Sequence, residues 1–144
     1  MPRADAERVA AWDALRAVLA RADQEMTRLL DAQREQELGT YHTLAALARA
    51  GGRLRMHELA ETLVLGRPTV TRMCDRLQHL DFIRRERIEQ DGRAVYVVLT
   101  KAGREEFRRC QPAYERFVHE VFGQYLTDAE VATVTRVAAK LTSP

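Results

Sequence analysis

Between Leu54 and Gly103 the apolar positions pass from a helical to a strand-like period and back. Met56, Leu59, Ala60 and Leu63 recur at helical spacing and predict a helix over Met56–Leu63. Val64-Leu65-Gly66 is too short for anything but a turn. Gly66 can take unusual backbone angles or serve as a helix N-cap, and Pro68 falls in the first turn of a second helix, where a missing N–H is harmless. Along that second helix Val70, Met73, Cys74, Leu77 and Leu80 or Asp81 trace one face, and Arg67, Thr71, Arg72, Asp75, Arg76 and His79 occupy the opposite one. Phe82 to Ile88 then reads as a strand carrying Arg84, Arg85 and Arg87, Asp91-Gly92 as a hairpin turn, and Val95 to Leu99 as the return strand. Thr100 offers an N-cap to a helix beginning at Lys101. Helix, turn, helix and hairpin in that order predict a winged helix-turn-helix, mainly α with a small β-hairpin wing.

The flanks are helical. Val9, Trp12, Leu15, Val18 or Leu19, Ala22, Met26 and Leu29 predict a long amphipathic helix from Ala6 to about Arg34. Leu38 to Ala50 forms a second, with Tyr41, Leu44, Leu47 and Ala48 inward and Gly51-Gly52 ending it. Arg53 to Arg55 is a short extended link, or a third strand beside the wing. After the wing, a helix from Lys101 to about Tyr125 carries Phe107, Cys110, Tyr114, Phe117, Val118, Val121 and Phe122 as a stripe, with Pro112 inside it as an expected kink. Thr127-Asp128-Ala129-Glu130 is a capping box opening the last helix, whose apolar face is Val131, Val134, Ala138 and Leu141. The expected organisation is therefore an N-terminal dimerisation helix (residues 1–37), a winged domain (38–100) and C-terminal dimerisation helices (101–144). The first helix is too long for one small winged domain to cover, and a second copy of the chain is its natural cover, across a two-fold axis.

An apolar back and an Arg/Thr front are what a recognition helix needs, because the back packs on its domain while the front meets phosphates and base edges. Arg67, Thr69, Thr71, Arg72 and Arg76 are the expected major-groove and phosphate contacts. Arg93, at or beside the hairpin tip, is the expected minor-groove contact, where negative potential is concentrated. Asp91 is expected to orient Arg93, since a carboxylate repels phosphate. Arg84, Arg85 and Arg87 lie along one strand, so not all of them can face DNA.

The segments LRMHELAETL, TVTRMCDRL, DFIRRE, DGR and VYVVLTKAG resemble the MarR family of bacterial transcription regulators. The most specific pieces are Asp91-x-Arg93 and Leu99-Thr100-x-x-Gly103, and the resemblance covers most of the chain. It implies an obligate homodimer on a palindromic operator, often repressing, and often released by a small phenolic or other lipophilic ligand.

Composition adds limits. The chain has 144 residues, one domain's worth and enough for a sizeable core. It has no run long enough to span a membrane, and its N-terminus lacks an apolar signal core, so a cytoplasmic location is expected. Residues 53 to 109 hold 13 Lys+Arg against 9 Asp+Glu, whereas the remainder is net acidic, so the basic excess sits on the winged segment. Cys74 and Cys110 fall on apolar faces and read as core thiols, and two cysteines make no disulfide framework. His42, His57, His79 and His119 are scattered without paired spacing, so no metal or cofactor is expected. No nucleophile–base set and no phosphate loop appears, so an enzyme is not expected. Trp12, Tyr41, His42 and Arg53 are the candidates for an effector pocket suited to a phenolate or aromatic carboxylate; the competing reading puts Trp12 and Tyr41 in the dimer core. A winged helix can instead serve as a protein-interaction module, but that version would show apolar residues where Thr69 to Arg76 present a cationic front.

Overall fold

A computed structural model describes residues 1–29, 32–92 and 94–143, the side chains of residues 27–29, 32–37 and 91 excepted. The elements are α1 (Ala6–Leu29), α2 (Ala32–Arg49), β1 (Arg53–Arg55), α3 (Met56–Leu63), α4 (Arg67–His79), β2 (Ile83–Arg87), β3 (Val95–Leu99), α5 (Lys101–Val121) and α6 (Asp128–Thr142). Two compact units divide them: residues 30–112 form one, and residues 1–29 with 113–144 form the other.

The first unit is the winged helix. Its core is Leu44 and Leu47 of α2, Leu59 of α3, Val70, Cys74 and Leu77 of α4, and Ile83, Val97 and Leu99 of the sheet. Burying such side chains is worth about 1.5–3 kcal/mol each, and this is what fixes the α4 back to its domain. The sheet runs β1-β3-β2, antiparallel throughout. Arg53–Arg55 is thus the third strand, with Leu54 opposite Val97. The second helix begins at Ala32, six positions before Leu38. Ala32-Gln-Arg-Glu-Gln-Glu-Leu38 is rich in strong helix formers but almost devoid of apolar markers, so propensity extends the helix where periodicity is silent.

The elbow between α3 and α4 is tight. Val64 closes α3 in the left-handed region (φ 54°), and the Leu65 N–H donates to the Ala60 carbonyl. Gly66 is the N-cap of α4, in extended geometry, with Pro68 in its first turn. At the other end of α4, Asp81 turns the chain with φ 61°. The Thr100 hydroxyl donates to the Asp81 carbonyl (2.6 Å), and the Gly103 N–H donates to the Thr100 oxygen (3.0 Å). The Thr100 N–H donates to the Phe82 carbonyl (3.1 Å). Thr100 therefore caps α5 and fastens the base of the wing in one residue.

At the wing tip, Glu89–Asp91 forms a short 3-10 turn and Gly92 follows with φ 69°. The strand before it, Ile83–Arg87, is shorter than the expected Phe82–Ile88 by one residue at each end.

In the second unit, α1 leaves Val9, Trp12, Leu15, Val18 and Leu19 exposed, and α6 leaves Val131, Val134, Val137 and Leu141 exposed. α5 runs unbroken through Pro112, and the division between the two units falls just after it. The Thr127 hydroxyl accepts from the Glu130 N–H, and the Glu130 carboxylate accepts from the Thr127 N–H (2.8 Å). The Thr127 N–H first, and the Thr127 hydroxyl second (3.0 Å), donate to that carboxylate and hold it below the usual carboxylate range. Replacing Thr127 by alanine should lower the thermal midpoint by about 3 °C through loss of the cap. Circular dichroism melts check this, and an unchanged midpoint would mean α6 does not depend on its first turn. Among the described residues no helix is long and apolar enough to cross a membrane.

Candidate nucleic-acid interface

The α4 helix turns its residues as its period demands. Val70, Cys74 and Leu77 are buried, and Arg67, Thr69, Thr71 and Arg72 are exposed. Among the described residues neither Arg67 nor Arg72 makes a hydrogen bond or ion pair. Two guanidinium groups and two hydroxyls thus stand on one helix with their donors uncommitted, which is the chemistry that phosphate oxygens and guanine edges accept.

Arg76 is placed differently from its neighbours. It is half-buried, and its guanidinium donates to the hydroxyl of Thr40 on α2 (2.9 Å). The helical wheel assigns it to the front, but its long side chain reaches back to a buried threonine that the wheel cannot see. Arg93 lies outside the described residues, as does the side chain of Asp91.

Of the wing arginines, Arg84 pairs with Glu86 on its own strand (2.8 Å) and Arg87 is exposed. Arg85 turns toward α4. Its Nη2 donates to the Thr71 carbonyl (3.1 Å) and to the Asp75 carboxylate (2.7 Å). On β1, Arg53 lies over the Tyr96 ring (4.1 Å to its centre), and Arg55 donates from Nε to the Tyr96 hydroxyl (3.0 Å).

A groove of about 340 Å³ opens beside the front, between the starts of α3, α4 and β3; Arg55, His57, Arg67 and Thr71 supply its polar lining. A second, larger cavity of about 570 Å³ lies between α2, the end of α3 and the elbow. Its floor is apolar (Ala46, Leu54, Leu63, Leu65, Met73), and His42 and Arg49 stand in its wall. Burial first, and the Arg49 charge second, hold the His42 imidazole below its usual pKa.

Of the residues singled out from sequence for a ligand, only His42 lines this cavity. Tyr41 is buried, with its ring 5.6 Å from Phe107. Arg53 is engaged by Tyr96, and Trp12 is exposed on α1 in the other compact unit. Arg49 was legible in principle: His42, Ala46 and Arg49 follow one another at i, i+4 and i+7 along α2.

Cys74 is fully buried, and burial pushes its thiol pKa up against the opposing charge of Arg85. Thiolate chemistry is disfavoured there. Cys110 is half-buried and donates to the Glu106 carboxylate (3.4 Å). No group of three or more metal-ligating side chains occurs among the described residues.

The family model of the MarR family matches residues 37–94, the segment that holds α3, α4 and most of the wing. Comparison with curated protein sequences gives no significant match. Among solved structures, the chain is 27% identical to Sco3205 of Streptomyces coelicolor, a MarR family transcriptional regulator determined in complex with DNA. The match covers all of this chain and 93% of that one, with a TM-score of 0.76. AbsC, a MarR family transcriptional regulator from the same organism, is 22% identical over 98% of this chain and 95% of its own, also with a TM-score of 0.76. BpsR of Bordetella bronchiseptica is 20% identical over 93% of this chain and 99% of its own (TM-score 0.73), in a structure that concerns regulation of its DNA binding by 6-hydroxynicotinic acid. The matched winged segment, the likeness over the full length and the uncommitted cationic front of α4 agree: the chain has a winged helix similar to that of the MarR family, and together they support a DNA-binding transcriptional regulator.

Proposed function

We propose that the protein is a cytoplasmic homodimeric repressor that reads a palindromic operator and leaves it when a small aromatic or phenolic anion binds. The observation that carries the reading is the front of α4, where Arg67, Thr69, Thr71 and Arg72 are exposed and Arg67 and Arg72 have no partner among the described residues. These four meet the major groove and its phosphates. Arg93 enters the minor groove from the wing, with Asp91 holding it. Arg76 joins them only by giving up Thr40.

The dimer is supported by the apolar residues that α1 and α6 leave in water, Trp12 at 59% exposure among them. A two-fold pair would set two α4 helices about one turn of DNA apart. The effector is supported by the cavity behind the elbow, where apolar walls would take a ring and His42 and Arg49 a carboxylate or phenolate. That BpsR responds to 6-hydroxynicotinic acid fits a ligand of this class. Such a ligand would act by shifting the geometry in which both winged domains can bind at once.

The test is a titration of the purified protein against a fluorescent duplex from its own upstream region, with salt and unlabelled random DNA. Competitor-resistant binding at one dimer per duplex is the expected result. Arg93→Ala should weaken binding to every sequence and flatten the salt dependence by about two counterions, one per protomer. Binding that random DNA abolishes would favour a winged helix whose partner is a protein.

A further inference from the structure

We propose that Arg85 is a positioning residue for DNA recognition, locking wing and recognition helix together and masking Asp75, without itself touching the duplex. The inference rests on α4 being the DNA-facing helix.

Strand alternation puts Arg85 on the same face of β2 as Ile83, which is in the core. Arg85 stands opposite Val97, which is also fully buried. An arginine on an inner face must find acceptors where it emerges, and this one finds three. Nη2 donates to the Thr71 carbonyl (3.1 Å) and the Asp75 carboxylate (2.7 Å), and Nη1 reaches the Gln78 amide oxygen (3.4 Å). Thr71, Asp75 and Gln78 lie at i, i+4 and i+7, one stripe of α4. A single guanidinium therefore spans two turns of the recognition helix from the strand that leads to the wing tip. Neither neighbour does this, since Arg84 is bound to Glu86 and Arg87 is exposed.

The charge argument is independent of the geometric one. Asp75 is the one acidic residue of α4 and is largely exposed, on the same helix as Arg67 and Arg72. Bare, it would repel the phosphates those arginines attract. Paired with Arg85, it presents a neutral group, and the Arg85 cation is consumed in doing so. Arg85 thus adds little to the pull on DNA in general. It adds to the fit between two elements that must read the duplex together.

The experiment uses a duplex selected by the full-length wild-type protein from a random 20-base-pair pool, and a scrambled duplex of the same composition. Failure of the wild type to select any consensus would count against the proposed function itself, before Arg85 is at issue. Given a selected duplex, Arg85→Ala should bind it about 10-fold more weakly while losing less than about 3-fold on the scrambled one. Arg85→Lys should show most of the same loss, because an ammonium cannot serve three acceptors in a fork. Adding Asp75→Ala to Arg85→Ala should recover part of the affinity by removing the bare carboxylate. Thermal melts establish that each variant is folded, and if Arg85→Ala is not, Arg85→Lys and Asp75→Ala carry the decision. Equal loss on both duplexes, a salt slope lower by about two for the dimer, and full rescue by lysine would identify Arg85 as a phosphate contact and overturn the proposal. So would wild-type discrimination by Arg85→Lys.

Discussion

Gly103→Ala should destabilise the winged domain by about 3 kcal/mol or more, although it adds only one methyl group to a helix. The methyl would sit 2.0 Å from the Phe82 carbonyl oxygen and 2.8 Å from Leu99 Cδ1. The oxygen belongs to the backbone just after α4, and it accepts the Thr100 N–H. To make room, either α5 must retreat from the wing base or the α4–β2 turn must move and break that bond. Overpacking of this kind typically costs about 1–3 kcal/mol, and a lost buried hydrogen bond adds about 1. Against a total stability of roughly 5–15 kcal/mol, this is a large fraction. Urea titrations of wild type and variant measure it. A midpoint unchanged within error would show that α5 slides outward freely, and that the clasp at Thr100 does not fix it.

The second large effect falls on binding. The double variant Arg67→Ala, Arg72→Ala should lose about 100-fold in affinity for the operator at moderate salt, since each well-placed arginine is worth about 1–3 kcal/mol. Both side chains are exposed and without partners among the described residues, so their removal should leave the fold intact. The single variants divide the roles. A base contact relaxes preference at one position of each half-site, whereas a phosphate contact weakens all sequences alike and lowers the salt slope by about two for the dimer. Retention of affinity within about 3-fold would remove α4 as the reading surface.

Much of this was legible in the chain because the winged segment is locally consistent. Met56–Leu63, the Pro68 turn, Val95–Leu99 and the Thr127 box each carry their own signal, and each appears where that signal puts it. The start of α2 did not, because Ala32–Leu38 has propensity without periodicity. The site was legible as a face and not as a set of contacts. A helical wheel separates Val70, Cys74 and Leu77 from Arg67 and Arg72 because burial follows direction. It cannot tell that Arg76 bends back to Thr40, or that Arg85, from another element, has taken Asp75. Those outcomes depend on side-chain reach across the domain. The crowding at Gly103 was equally hidden, since the obstructing atom belongs to Phe82, on the far side of the hairpin.

The left-handed Val64 at the elbow has a consequence for how this protein can change over time. A β-branched residue resists that backbone shape by about 1 kcal/mol, whereas asparagine accepts it readily. Val64 is 86% exposed, so little burial of its side chain offsets that cost. The domain therefore carries unused stability at a position outside its DNA-reading face. A lineage that drifted to asparagine at the elbow would gain a margin, and could then tolerate a mildly damaging change on α4 while acquiring a new operator preference.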